Sequence, residues 1–395
     1  MKNILFVINS LTIGGSEKSL ISLLNLIDFS KYNVDLLMLK VGEEFDKYIP
    51  KQVNILPIPK YYSYLYGNNL DIALVEKLKF KLCRYKCSIK LRVNNKLIKR
   101  QNNQQIFYEN QKKLLNELEK KYDVAIAYAQ GFPTYFIVDK VKANKKFAWI
   151  NCDYTATAYD KEFDKLYYDK IDKIIAVSEA GKKSIVNVNK DYGKKIEIIK
   201  DIVNPKLIED MSKEKINELD YREFNIVTVA RLVVGYKGYD LAIKAAKLLK
   251  DEGYNFKWYA IGEGNDRDKV NRLIQENKVE DRFILLGSRD NPYPYMKNCS
   301  LYVQPSRIEG FGLTVIEAKI LKKPIVCTNF STSKELIKHK FDGLIVESDE
   351  KSIFNGIKSY INSIDLKEKV INQLNNQRPY NTLNELSKIY ELINS

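Results

Sequence analysis

Short, unbroken apolar runs alternate along this chain with stretches in which apolar residues return every three or four positions. Runs such as Ile4-Leu5-Phe6-Val7-Ile8 are of strand length, and their lack of a polar face predicts strands covered on both sides by helices, as in a parallel sheet. The pattern predicts strands near 3–8, 34–39, 53–56, 123–128, 146–150 and 173–177 in the first half. Helices are predicted near 16–27, 71–92, 106–120, 156–168 and 179–188. A less regular, charged passage from Asn204 to Glu223 then breaks the rhythm.

It restarts with Asn225-Ile226-Val227-Thr228-Val229. The second half reads as strands near 225–230, 256–261, 282–286, 300–303, 324–327 and 343–346, with helices near 238–250, 266–278, 313–321, 333–338 and 350–362. Two successive α/β units predict two Rossmann-like domains facing across a cleft, with ligands beyond the carboxyl ends of the strands. The expected boundaries are 1–203 for the first domain, 204–224 for a linker and 225–380 for the second. A last helix, 381–395, is free by sequence to pack on either domain.

A chain of 395 residues suits two cores better than one. No apolar run approaches the roughly 18 residues of a spanning helix. Met1-Lys2-Asn3 leads straight into a strand, without a charged-then-apolar leader, so a cytoplasmic protein is expected. The cysteines, Cys83, Cys87, Cys152, Cys299 and Cys327, are scattered, and His339 is the only histidine; buried thiols explain them better than a zinc site. A formal net charge of +15 admits nucleic acid, an anionic membrane surface or an anionic substrate, and does not choose among them.

Three motifs carry candidate chemistry. Gly14-Gly15-Ser16 follows the first strand and opens a helix, a place where backbone N–H groups and the helix dipole favour a diphosphate. Without a ligand the same residues would be a tight turn with Ser16 as the helix cap. Arg231 and Lys237, the latter followed by Gly238, sit at a strand's carboxyl end, where a planar fork and a point charge would neutralise a pyrophosphate. The third motif runs from Arg307 to Ala318. Gly310 and Gly312 free the backbone at a helix start, Glu309 lies in the loop, and Glu317 lies inside an apolar helix. A carboxylate in such a helix needs donors, and ribose hydroxyls would supply them; a salt-bridged core residue is the alternative.

The segment Glu309 to Glu317 resembles the E-x7-E motif of family-4 retaining glycosyltransferases of the GT-B fold. Gly14-Gly15-Ser16-Glu17, Arg231 with Lys237-Gly238, and Ile261-Gly262-Glu263-Gly264 resemble their other landmarks in order. The likeness is to the branch that builds bacterial lipopolysaccharide, capsule and related surface polymers. It implies that Glu317 holds the nucleotide ribose, Glu309 lies by the donor sugar, and Arg231 and Lys237 grip the diphosphate. The amides of Gly310, Phe311, Gly312 and Leu313, with Thr314 beside them, would meet sugar and phosphate. Gly15 would close over the phosphate, Gly262 would belong to the nucleotide-binding half, and the base would stack near Gly287 and Ser288. UDP is the donor nucleotide that the family implies. Related enzymes carry histidine where this chain has Asn151, in Trp149-Ile150-Asn151-Cys152-Asp153-Tyr154. Asn cannot accept a proton at neutral pH. Retaining transfer can dispense with a side-chain base if the leaving diphosphate takes the acceptor proton, and Asp153 is the fallback polar group. No cofactor and no metal are expected; Asp266-Arg267-Asp268 reads as a helix start.

From Lys77 to Arg100 there is no acidic residue. Lys77, Lys81, Arg84, Lys86 and Lys90 accompany Leu78, Leu82, Tyr85 and Ile89, which share one helical face, and Tyr61-Tyr62-Ser63-Tyr64-Leu65-Tyr66 precedes them. A basic amphipathic helix suits an anionic bilayer, and through it a lipid-linked acceptor. A helix covering its own domain, with solvated lysines outside, explains the same pattern.

The sequence therefore points to a nucleotide-sugar donor and a glycan or lipid-linked acceptor. A nucleotide-sugar epimerase or phosphorylase on the same fold is disfavoured by the shortage of histidine. A non-catalytic transferase-like subunit is motivated by Asn151 and opposed by Arg231, Lys237, Glu309 and Glu317. Nucleic acid is not expected as a partner, since no reader motif accompanies the charge.

Overall fold

The computed structural model describes all residues except 13, 44, 68–71, 99–100 and 378–380. The expected start of the 71–92 helix, the last two cations of the basic run (Lys99 and Arg100) and the domain end at 380 thus lie outside the described residues. The chain divides into two compact units, Met1–Asp201 with Glu385–Ser395, and Ile202–Asn384.

In the first unit the strands are β1 (Lys2–Ile8), β2 (Tyr32–Met38), β3 (Asn54–Ile55), β4 (Tyr122–Ala127), β5 (Ala143–Ile150), β6 (Lys173–Ala176) and β7 (Ile196–Ile198). They form one sheet in the order β3-β2-β1-β4-β5-β6-β7. Every pairing is parallel, and Ile4 lies opposite Val34 on one side and Val124 on the other. The apolar runs are buried on both faces because helices cover both, as a parallel sheet requires. Tyrosines dominate the filling: Tyr61, Tyr108, Tyr122, Tyr135, Tyr154 and Tyr168 are all but inaccessible.

The second unit holds β8 (Phe224–Val229), β9 (Phe256–Ile261), β10 (Phe283–Gly287), β11 (Leu301–Gln304), β12 (Ile325–Thr328) and β13 (Leu344–Val346). Their order is β10-β9-β8-β11-β12-β13, again parallel throughout. In both sheets the order reverses beside the first strand, between β1 and β4 and between β8 and β11. Such a switch point opens a crevice at the strands' carboxyl ends. Trp258 is fully buried, and its Nε1 donates to Thr228 Oγ1 at 3.0 Å, which donates in turn to Val303 O at 2.6 Å. The indole is thereby buried without an orphaned N–H.

Several sequence expectations need correction. The 106–120 helix is Asn103–Gln111, capped by Asn102 and ended by a tight turn, because Leu118 N bonds to Lys140 O (2.8 Å) and draws the chain toward the sheet. The 156–168 helix begins only at Lys161, where the Asp160 carboxylate accepts from the N–H groups of Glu162 and Phe163. The charged passage after Asn204 contains the helix Pro205–Met211. The tyrosine run 61–66 is only partly a surface feature: it forms the helix Lys60–Leu65, Tyr61 and Tyr62 are buried against Phe80 and Phe132 at ring separations of 5.2 and 5.4 Å, and Tyr66 beyond the helix is exposed. The terminal helix, Glu385–Asn394, belongs to the first unit. It buries Ile389, Leu392 and Ile393, and Tyr390 stacks on Tyr32 at 5.4 Å.

Candidate functional site

The switch point of the second sheet gathers the charged residues of the motifs. The strand β8 ends at Val229, and Arg231 stands two residues beyond it, exposed, its side chain without a hydrogen bond or ion pair among the described residues. The chain then makes the short helix Val234–Lys237, stopped by Gly238 at φ +68°. A Cβ on Gly238 would lie 1.9 Å from Pro305 O. Glycine is therefore required for this turn to lie against the end of β11, and that approach delivers Lys237 to Glu309.

Lys237 Nζ donates to Glu309 Oε1 at 2.7 Å, with the side chains 17% and 11% exposed. The same carboxylate oxygen accepts from Ser306 Oγ (2.6 Å) and Gln304 Nε2 (3.0 Å). Behind it, Gln304 Oε1 accepts from Tyr302 OH at 2.5 Å and Thr314 Oγ1 at 3.1 Å. The loop itself is anchored by Arg307, whose two terminal nitrogens meet both Asp240 oxygens at 2.8 and 2.7 Å. Burial pushes the Asp240 carboxyl up, but the fork from Arg307 outweighs it and holds the group below its ordinary value.

The loop enters the helix Leu313–Ile320 through Gly312, at φ +96°, with no side-chain cap on the first turn. Phe311 and Leu313 point their side chains into the core, so backbone is what this turn offers a ligand. Gly310 is half-buried beside them. Glu317, 3% exposed, accepts from Tyr293 OH at 2.9 Å. Gly262, at φ +145°, turns the chain after β9 close under Ala230 O. Gly287 ends β10 and Ser288 follows it, both half-buried, and Ser288 O accepts from Arg289 Nη1 at 3.1 Å. Asp266 stands at the N-cap position of the helix Arg267–Glu276, as the helix-start reading expects, but its side chain turns elsewhere: Oδ2 accepts from Val234 N at 2.8 Å and ties the loops after β8 and β9 together.

The remaining candidates lie in the first unit. Gly14 precedes the helix Gly15–Leu24, which has no side-chain cap; Ser16 Oγ donates instead to Glu17 Oε2 at 2.8 Å. At the ends of β4 and β5, Asn151 Nδ2 donates to Tyr128 O (2.8 Å) while its Oδ1 is buried with no hydrogen-bond partner among the described residues. Asp153 Oδ1 is occupied within its own turn, accepting from Thr155 Oγ1 at 2.6 Å and Thr155 N at 3.1 Å.

Sequence reasoning missed the residues that hold these groups. Gln304 and Tyr302 brace Glu309, and Tyr293 reaches Glu317; an amide ending an apolar strand, Leu301-Tyr302-Val303-Gln304, was the available signal. In the first unit Asp164 accepts from Tyr154 OH (2.5 Å), Gln105 Nε2 (2.8 Å) and Tyr135 OH, which fixes the segment containing Asn151 and Asp153. Burial pushes the Asp164 carboxyl up against those donors.

Two parallel-sheet, Rossmann-like domains with a cationic, glycine-opened switch point define a GT-B type of fold. Solved structures agree across 100% of both chains: Anabaena HepE in complex with UDP and glucose (TM-score 0.70, 16% identity) and Staphylococcus aureus TarM in complex with UDP (TM-score 0.66, 17% identity). Residues 210–377 match the family described as Glycosyl transferases group 1. Among curated relatives, the Campylobacter jejuni N-acetylgalactosamine-N,N'-diacetylbacillosaminyl-diphospho-undecaprenol 4-alpha-N-acetylgalactosaminyltransferase is 31% identical over 53% of this chain and 56% of its own length. The S. aureus capsular polysaccharide biosynthesis glycosyltransferase CapM is 30% identical over 50% and 54%. The chain spans about half the length of the curated relatives it matches.

Proposed function

We propose that this protein is a retaining glycosyltransferase that moves a sugar from a nucleoside-diphosphate donor, UDP first among the candidates, to a lipid-linked or surface glycan acceptor in bacterial polysaccharide assembly. The observation that carries the reading is the Lys237–Glu309 pair, 2.7 Å apart, with Arg231 six residues before Lys237, exposed and its side chain unpaired among the described residues. Two cations and one carboxylate at a strand switch point fit a diphosphate and a sugar hydroxyl. Glu317, in the helix that this loop opens, would take the ribose, and the turn at Gly312, without a side-chain cap, would offer N–H groups to the sugar or phosphate. UDP is supported by its presence in the HepE and TarM structures, and a lipid-linked acceptor by the name of the C. jejuni relative.

In the reaction, the anomeric carbon–phosphate oxygen bond breaks and the acceptor oxygen bonds to the same face of that carbon. The acceptor proton passes to the departing diphosphate. Arg231 and Lys237 neutralise the charge that develops there. No side-chain base is needed, which fits Asn151, whose amide is already committed to Tyr128 O.

The test is incubation with a panel of UDP-, GDP- and ADP-sugars, with the product anomer read by NMR. An α-linked donor is expected to give an α-linked product. A β product overturns retention, and UDP binding with no turnover of any donor assigns the chain to a non-catalytic binding role.

A further inference from the structure

The helix Leu74–Val93 stands on the first unit with two apolar faces of the same period. The inward face is Phe80, Cys83 and Cys87, all buried, with Phe80 packed against Tyr61. The other face is Leu74, Leu78, Leu82, Tyr85, Ile89 and Val93, and every one of these is exposed, Leu82 at 60% and Tyr85 at 67%. At 3.6 residues per turn the outer six fall within an arc of about 100°, opposite the buried three. The helix is already seated in its own core by one face, so covering its own domain does not account for the second.

Cations border the outer stripe on both sides. Lys77, Lys81 and Arg84 lie along one edge, and Lys79, Lys86 and Lys90 along the other; all six are exposed. Of these only Lys90 meets a carboxylate among the described residues, Glu109 at 3.3 Å. No acidic residue occurs between Lys77 and Arg100. An isolated leucine on a surface means little, but a continuous stripe of apolar residues along a helix marks a surface that something covers.

We propose that this stripe is an insertion face for an anionic bilayer: Leu78, Leu82, Tyr85 and Ile89 enter the headgroup–acyl boundary while the flanking cations meet lipid phosphates. An apolar stripe between two rows of lysine and arginine is the arrangement of a helix lying in the membrane plane. A second copy of the chain fits poorly, because packing stripe on stripe would bring two cationic borders together. The proposal deepens the reading of a lipid-linked acceptor, since it identifies the face that meets the acceptor's membrane.

The test uses the full chain with vesicles of phosphatidylcholine alone or mixed with phosphatidylglycerol, read by flotation. Binding is expected to the anionic vesicles only. The variant Leu78→Ser/Leu82→Ser/Tyr85→Ser is expected to lose roughly tenfold or more in affinity at low salt, because each methylene kept out of water is worth roughly fourfold in partition. The variant Lys77→Gln/Lys81→Gln/Lys86→Gln is expected to lose the salt-sensitive part of binding. All substituted positions are exposed, so both variants should keep the wild-type melting temperature. Absence of vesicle binding, equal binding to both vesicle types, or unchanged binding by the serine variant overturns the proposal. So does a wild-type dimer that the serine variant dissociates without any vesicle binding, which would give the stripe to a second copy. Titration with UDP separates this from the enzymatic reading: a chain that binds UDP but no vesicles loses only the membrane face.

Discussion

Replacing Glu309 with glutamine should tighten nucleoside-diphosphate binding while impairing sugar transfer. In the free protein the Lys237 ammonium is spent on Glu309 Oε1 at 2.7 Å. To grip a diphosphate it must give up that bond, and a hydrogen bond to a charged group is worth about 1.5–3 kcal/mol net. Lys237 is 17% exposed and recovers part of this from solvent, so about 1–2 kcal/mol is the expected gain. That is a fall of roughly five- to thirtyfold in Kd. The glutamine amide oxygen can keep the bonds from Ser306 Oγ and Gln304 Nε2, so the loop should hold its shape. The assay is calorimetric titration of UDP into wild type, Glu309→Gln, Lys237→Gln and the double variant, with donor hydrolysis measured in parallel. Lys237→Gln should bind more weakly, and the double variant should match it, because the glutamate acts through the lysine. If Glu309→Gln weakens UDP binding, the competition does not exist. If the double variant still binds more tightly than Lys237→Gln, the carboxylate acts by its own repulsion.

Three other outcomes follow from the same geometry. Arg231→Ala should leave stability within about 0.5 kcal/mol, because the side chain is exposed and unpaired among the described residues, yet weaken UDP binding by about 1–3 kcal/mol; an unchanged Kd removes Arg231 from the site. Glu317→Gln keeps an acceptor for Tyr293 OH, so it should spare the melting temperature and impair binding of uridine as well as UDP; a sharp fall in melting temperature with intact affinity makes Glu317 a core residue only. Burial pushes the Asp201 carboxyl up from 3.8 to about 7. The folded state then holds a proton that the unfolded state has released, so this group's contribution falls as pH rises from about 4 and is lost above about 7, with a ceiling of about 4 kcal/mol. Asp201→Asn should therefore flatten the decline of melting temperature between pH 5 and 8, and parallel slopes in variant and wild type refute this.

Much of the fold was legible because strands in a parallel sheet are buried on both faces, and continuous apolar runs betray them. The strand Ile196–Ile198 escaped, being three residues long at a sheet edge with Glu197 in its middle. The helix Phe132–Lys140 escaped because it is apolar nearly all round and shows no period. In the site, Lys237 and Glu309 stood out as charges beside glycines, Arg231 as a charge at a strand's end and Glu317 as a charge inside an apolar helix. Gln304, Tyr302 and Tyr293 did not, since a lone polar side chain in an apolar segment does not announce what it bonds to.

The helix Leu74–Val93 shows where local pattern stops. Phe80, Cys83 and Cys87 repeat at the same period as Leu78, Leu82, Tyr85 and Ile89, so periodicity establishes a helix with two candidate inner faces. Only the tertiary structure decided between them, because the choice depends on residues outside the helix, Tyr61 among them. Likewise the sequence by itself determined the order of strands and helices and the charged motifs at their ends, since burial period and turn chemistry are properties of neighbouring residues. That Lys237 meets Glu309, 72 residues away, was decided by the order of strands in the sheet, which sets β8 beside β11, and by the close passage of Gly238 under Pro305.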